Sequence, residues 1–180
     1  IAQTLFTGAL GMGSSIWLMY YFQVVGGQLY FAIGVLSGLF ITGSIYGALL
    51  VSRGKIGFGI WRVLLLIFIS AMAVLNYSAV IDFPIWLAIV SFGAYHLLIG
   101  GVVGMLYPLL LYTADEKGLL GTKAPAKIYS ADLIGSALTA PLFGILIIPV
   151  FGMTRALVLI IAIYALIMVV SLSFKNKLKG

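Results

Sequence analysis

Residues 30–51 read YFAIGVLSGLFITGSIYGALLV, a run with no charged side chain, no amide and no proline. A helix needs about 20 predominantly apolar residues to cross the hydrocarbon core of a bilayer, and this run supplies them. It follows Gly26-Gly27-Gln28 and stops at Ser52-Arg53-Gly54-Lys55, so both of its ends are wet. Working outward, five further stretches qualify, over about 1–25, 56–75, 84–112, 128–150 and 156–174. The reading is an all-α membrane protein: one polytopic domain over 1–180, folded as a bundle of six transmembrane helices.

Composition agrees. The chain is 63% hydrophobic and 8% charged, with a mean hydropathy of +1.24. A soluble domain carries about a quarter charged residues, so 8% leaves too little charge to cover a surface facing water. The 22 glycines fit the same solvent, because small residues let helices approach closely in lipid. There is no cysteine, which excludes disulfides, thiolate metal sites and iron–sulfur ligation by this chain. His96 is the one histidine, so a bis-histidine haem is excluded as well. No nucleotide-binding glycine fingerprint, phosphate loop or metal-ligand cluster is present, and no cofactor is expected. The chain opens at Ile1 inside an apolar run, with no charged leader before it, as expected of a processed start or of a piece of something longer.

The net charge of +6 is a matter of topology. If six helices alternate, Arg53, Lys55, Lys117, Lys123, Lys127, Lys175, Lys177 and Lys179 fall on one side and only Arg155 on the other. Positively charged loops stay in the cytoplasm. The expected location is therefore the cell membrane, multi-pass, with both termini cytoplasmic and no nucleic-acid partner. Gly8-Ala9-Leu10-Gly11-Met12 is echoed by Gly101-Val102-Val103-Gly104-Met105, and Leu29-Tyr30 by Ile128-Tyr129. Three helices per repeat would set the two copies in opposite orientation, the 3+3 inverted arrangement found within half of a major-facilitator fold.

Small residues recur at helical spacing: Gly34, Gly38, Gly43 and Gly47 in the second span, Gly100 and Gly104 in the fourth, Ser136, Ala140 and Gly144 in the fifth. Each set offers a smooth strip for packing inside the bundle or for docking a partner subunit. The second and fifth helices are expected to bury these faces. The Leu-, Ile- and Val-rich faces of the third and sixth are expected to meet lipid.

Four residues form a candidate intramembrane polar site: Asp132, Arg62, His96 and Gln23. A carboxylate inside the membrane is costly unless paired. Asp132 sits about one turn into the fifth span, and Arg62 at similar depth is its expected ion-pair partner. A structural ion pair, a hydrogen bond to the helix-start backbone and a proton or cation site are the readings open to Asp132. His96, near the middle of the fourth span, is read either as a proton relay or as one hydrogen bond across the bundle. Gln23 and Tyr20 can bind a polar ligand or sit at the interface beside residues such as Trp17, Trp61 and Trp86. Pro141 lies well inside a span, whereas Pro108 and Pro149 lie near expected ends.

Several of these segments resemble a known family. Phe6-Thr7-Gly8-Ala9-Leu10-Gly11-Met12, then Phe22-Gln23, Gly27-Gln28-Leu29-Tyr30, Gly34 and Phe40 form one ordered set. Gly101 through Pro108, Ile128 through Ser136, Ile148-Pro149 and Gly152 continue it. From about Leu5 to Gly152 the chain resembles the second membrane half of fused major-facilitator/spermidine synthase-like membrane proteins. The resemblance implies a polytopic region joined to an aminopropyltransferase-like soluble domain. That domain's glycine-rich and acidic motifs have no counterpart here, so no catalytic residue carries over. The family's glutamate shortly after the Gly-Met of the first helix falls here near Ser14-Ser15, which argues against transport.

The expected function is a non-catalytic membrane subunit or domain that anchors or helps assemble a larger complex. Its expected partners are the lipid bilayer and other membrane subunits, or a missing second membrane half. The alternatives are a half-transporter module moving a small solute or cation, and the membrane part of a spermidine synthase-like enzyme whose catalytic domain lies elsewhere.

Overall fold

Gly43, Gly47, Gly100 and Gly104 draw two helices into backbone contact. In a computed structural model that describes residues 2–26, 30–54, 57, 59, 61, 63–67, 85–116 and 124–176, these glycines line the seam between α2 (Tyr30–Ser52) and α3 (Ile85–Glu116). A methyl group on Gly43 would strike the Leu97 carbonyl, and one on Gly47 the Gly101 carbonyl. From the other side, Gly100 faces the carbonyl of Phe40 and Gly104 that of Ser44. At their ends the Tyr112 hydroxyl donates to the Ser52 carbonyl at 3.5 Å, so the two helices run in the same direction.

A second seam has the same construction. It joins α1 (Ala2–Gly26) to α4 (Ala124–Pro141). Gly8 faces the Asp132 carbonyl, and Gly135 faces the carbonyl of Leu5. Farther along, Gly13 meets Thr139 and Phe143, and the Tyr20 hydroxyl donates to the Gly144 carbonyl at 2.8 Å, so this pair also runs parallel. The contacting positions of the two seams correspond by one constant offset. Leu5, Gly8 and Ala9 stand to Leu97, Gly100 and Gly101 as Phe40 and Gly43 stand to Asp132 and Gly135. Gly11 and Val103, at that same offset, face each other where α1 crosses α3. Phe92 packs on Tyr21 and Phe22, so α1 and α3 are antiparallel.

After Pro141 the helix widens into a π turn over Leu142–Ile147, then returns to α5 (Ile148–Phe151). Proline has no N–H to donate and its ring crowds the preceding turn, and a wider turn is one way to absorb both defects. Pro108 does not end α3, which continues to Glu116. Gly152 alone separates α5 from α6 (Met153–Asn176), with φ 81° and ψ 168°. Only glycine adopts that conformation without strain. Gly152→Ala is expected to cost about 1–3 kcal/mol, read as a lower melting midpoint of the detergent-solubilised protein.

All the regular structure among the described residues is helical. Three stretches, Ile33–Ser52, Ile89–Tyr112 and Pro125–Phe151, are long and apolar enough to cross a membrane, and they fit a membrane location. A shorter apolar helix covers Met153–Ala165. α1 is less apolar than these, yet it is the most enclosed helix. Thr4, Thr7, Ser14 and Ser15 are buried along it, with Leu10, Trp17, Leu18 and Phe22. Helices touching lipid need apolar side chains outside, whereas a helix surrounded by helices needs small ones.

Trp17 and Trp61, expected at the interface, are instead core residues, because each indole N–H finds a backbone carbonyl. Trp17 donates to Met153 at 2.8 Å and Trp61 to Val102 at 2.9 Å. Trp86 is exposed. Val63, Leu66 and Ile67, in the helical stretch 63–67, and Val158 and Leu159 of α6 face outward. The smooth strip expected along α2 is divided. Gly43 and Gly47 lie in the seam, while methyl groups on Gly34 and Gly38 would meet nothing, because nine residues of helix turn Gly34 and Gly38 to the face opposite Gly43 and Gly47. On α4, Gly135 makes the close approach, Ser136 and Ala140 are half-buried, and Gly144 of the π turn faces open space.

Candidate functional site

Between the two seams lies a cavity of about 550 Å³. Helical spacing aligns its walls. Thr4, Gly8, Gly11 and Met12 come from α1, and Phe40, Ser44 and Ala48 from α2. Val103, Gly104, Leu106 and Tyr107 come from α3, and Tyr129, Asp132 and Ser136 from α4. Residues three and four apart share a helix face, so each helix presents one stripe to the cavity. The close glycine seams bring the stripes together: Gly8 lets α4 approach until the position of its missing methyl is 2.9 Å from Asp132 Oδ1.

The polar groups of the cavity are acceptors or hydroxyls. Ser44 Oγ lies 3.1 Å from both the Phe40 and the Gly100 carbonyls, so its proton is engaged and its lone pairs stay free. Thr4 is 2% exposed, and its hydroxyl has no hydrogen-bond partner among the described residues. Asp132 is half-buried, and among the described residues no Lys, Arg or His lines the cavity with it. Tyr107 and Tyr129 meet edge to face, with centroids 6.1 Å apart and planes at 78°. The remaining surface is largely apolar.

Of the candidate polar residues that are described, only Asp132 belongs to the cavity wall. Arg62 lies outside the described residues, and with it the expected Arg62–Asp132 pair. His96 is wholly buried on α3 and is not part of the cavity wall; its Nδ1 is 2.9 Å from the Phe92 carbonyl. A carbonyl only accepts, so Nδ1 carries the proton. Gln23 is half-buried near the far end of α1, eleven residues beyond Met12, or roughly 16 Å along the axis. Thr4, Ser44, Tyr107 and Tyr129 did not stand out in the sequence. Only the tyrosines carry a usable signal, two aromatic residues with polar tips close to polar loops. Among the described residues no group of three His, Cys, Asp or Glu side chains could hold a metal ion.

Comparison with known protein families, curated proteins and solved structures returns no match for this chain. The functional reading therefore rests on the cavity.

Proposed function

We propose that this chain is a transporter-like membrane module that binds a solute between two related halves and exposes it to each side of the membrane in turn. The observation that carries the reading is the cavity itself, lined by an intramembrane carboxylate and lying where the two glycine seams meet. A carboxylate at such depth marks solute and ion pathways. Asp132 supplies the acidic group that the Ser14-Ser15 region lacks.

The constant offset between the seams supports a 3+3 repeat. Its register sets Gly8 against Gly100, one residue from the pairing that the Gly-Met motifs suggest. Helix directions support six alternating crossings. α2 and α3 run parallel, and the sequence between them holds one apolar run of about 20 residues, the length of a single span. Charge supports the orientation: Arg53 and Lys127 belong to one end of the bundle and Arg155 to the other, in keeping with a multi-pass cell-membrane protein whose more basic end faces the cytoplasm. On this reading the chain has no catalytic role of its own.

The natural absence of cysteine makes the test clean. Ser136→Cys, in the cavity wall, is expected to react with a membrane-impermeant maleimide added from either side of the membrane. Labelling from one side only, or from neither, would overturn the transport reading. The anchoring reading has one observation in its favour, the open faces of Gly34 and Gly38, where a partner helix can dock. On that reading Ser136→Cys stays silent from at least one side.

A further inference from the structure

We infer that the cavity between the seams is a site for a singly charged primary ammonium ion carrying a compact apolar body. The inference rests on the solute-binding reading above and names the ligand class of that site. Three features of the cavity set the class. Its charge is one carboxylate, Asp132, with no cationic side chain lining it among the described residues. A second, independent feature is Thr4: the residue lines the same cavity and is 2% exposed, and its buried hydroxyl has no hydrogen-bond partner among the described residues. A buried polar group left without a partner is costly, and a ligand that donates to it removes the cost. Ser44 adds lone pairs, since its proton is engaged by backbone carbonyls. The polar wall thus asks for a donor-rich head with one positive charge. An ammonium head has three N–H groups, matching Asp132, Thr4 and Ser44.

The third feature is what surrounds that head. Tyr107 and Tyr129 stand against each other on the wall, and ring faces attract a cation within about 6 Å. Apart from Ser136, the rest of the lining, including Met12, Phe40, Val103 and Leu106, is apolar. A volume of about 550 Å³ is far larger than a bare metal ion needs. A ligand with a charged head and an apolar body fills both parts of the cavity.

Benzylammonium is the probe. It is titrated into the purified full chain in lipid nanodiscs, with the melting midpoint and calorimetric heat as readouts. Benzylammonium is expected to bind saturably and raise the midpoint, whereas benzyl alcohol, its neutral counterpart of similar shape, does neither. Asp132→Asn is expected to weaken binding about 10- to 100-fold, the range for losing a hydrogen bond to a charged group. Thr4→Val keeps the shape and removes the unpartnered hydroxyl; it is expected to weaken binding several-fold while leaving the fold intact. It keeps the proposal falsifiable should Asp132→Asn fail to fold. Equal binding of benzyl alcohol, unchanged affinity in Asp132→Asn or Thr4→Val, or a sodium-induced shift equal to that of benzylammonium would overturn the assignment. The test is independent of translocation. Two-sided labelling of Ser136→Cys without ammonium binding removes the ligand and keeps transport, and binding without two-sided labelling does the reverse.

Discussion

Gly100→Leu is expected to abolish the folded bundle. The missing side chain of Gly100 points at the Phe40 carbonyl, and the nearest atoms all belong to that residue's backbone. A flexible side chain can swing away from an intruding methyl group, but a helix backbone moves only as a rod. Accommodating leucine therefore means driving α2 and α3 apart along their whole shared length, which also empties the contacts at Gly43, Gly47 and Gly104. In lipid those close contacts are the attraction, because the tails outside are as apolar as the side chains within. The loss should exceed about 3 kcal/mol, beyond ordinary overpacking of a core. Size-exclusion chromatography in mild detergent is expected to give an aggregate in place of a symmetrical peak. Gly38→Leu is the control: the same substitution on the opposite face of α2 meets nothing and should leave the peak unchanged.

Trp17→Ala is expected to cost about 3–5 kcal/mol, the range for emptying a large aromatic site. Trp17 is wholly buried at the crossing of α1 with α6. It stacks on Tyr21 with centroids 5.0 Å apart and planes 9° from parallel, and its N–H donates to Met153. Alanine removes the ring contacts and leaves a void whose lining has lost its partners. Trp17→Phe separates the two contributions: it keeps most of the ring and forfeits the N–H bond, for a loss of about 1 kcal/mol plus a small cavity term. Thermal aggregation midpoints of the three proteins in one detergent should rank wild type, Trp17→Phe, Trp17→Ala. Equal midpoints for alanine and phenylalanine would mean that the hydrogen bond, and not packing, holds this crossing.

The apolar runs behind α2 and α3 were legible because hydropathy is a property of consecutive residues. The central position of α1 was not. Its threonines, serines and glycines lower its hydropathy, yet those residues suit the middle of a bundle, where helices and not lipid surround it. The same limit applies at the seams. Glycine spacing marks Gly34 with Gly38 and Gly43 with Gly47 as two smooth pairs, but spacing carries no information about what lies opposite each, and only the second pair meets α3. Gly8 and Gly135 do comparable work on the other seam without belonging to a conspicuous strip. Asp132 was legible because a carboxylate in an apolar run is conspicuous by itself. Thr4, Ser44, Tyr107 and Tyr129 become a site only through the crossing of four helices, and no short window of sequence encodes that crossing.

The joint at Gly152 bears on how the protein is made. Between α5 and α6 the chain turns through a single residue that is not helical, with the exposed Arg155 just inside the next helix. A joint this short leaves no hydrophilic tether that could wait outside the lipid while one helix entered ahead of the other. Were the span that ends at Phe151 and α6 both to enter a bilayer, they would partition together as a hairpin with Arg155 near its tip. The finished protein then offers proteases almost nothing to cut on that face, at that corner.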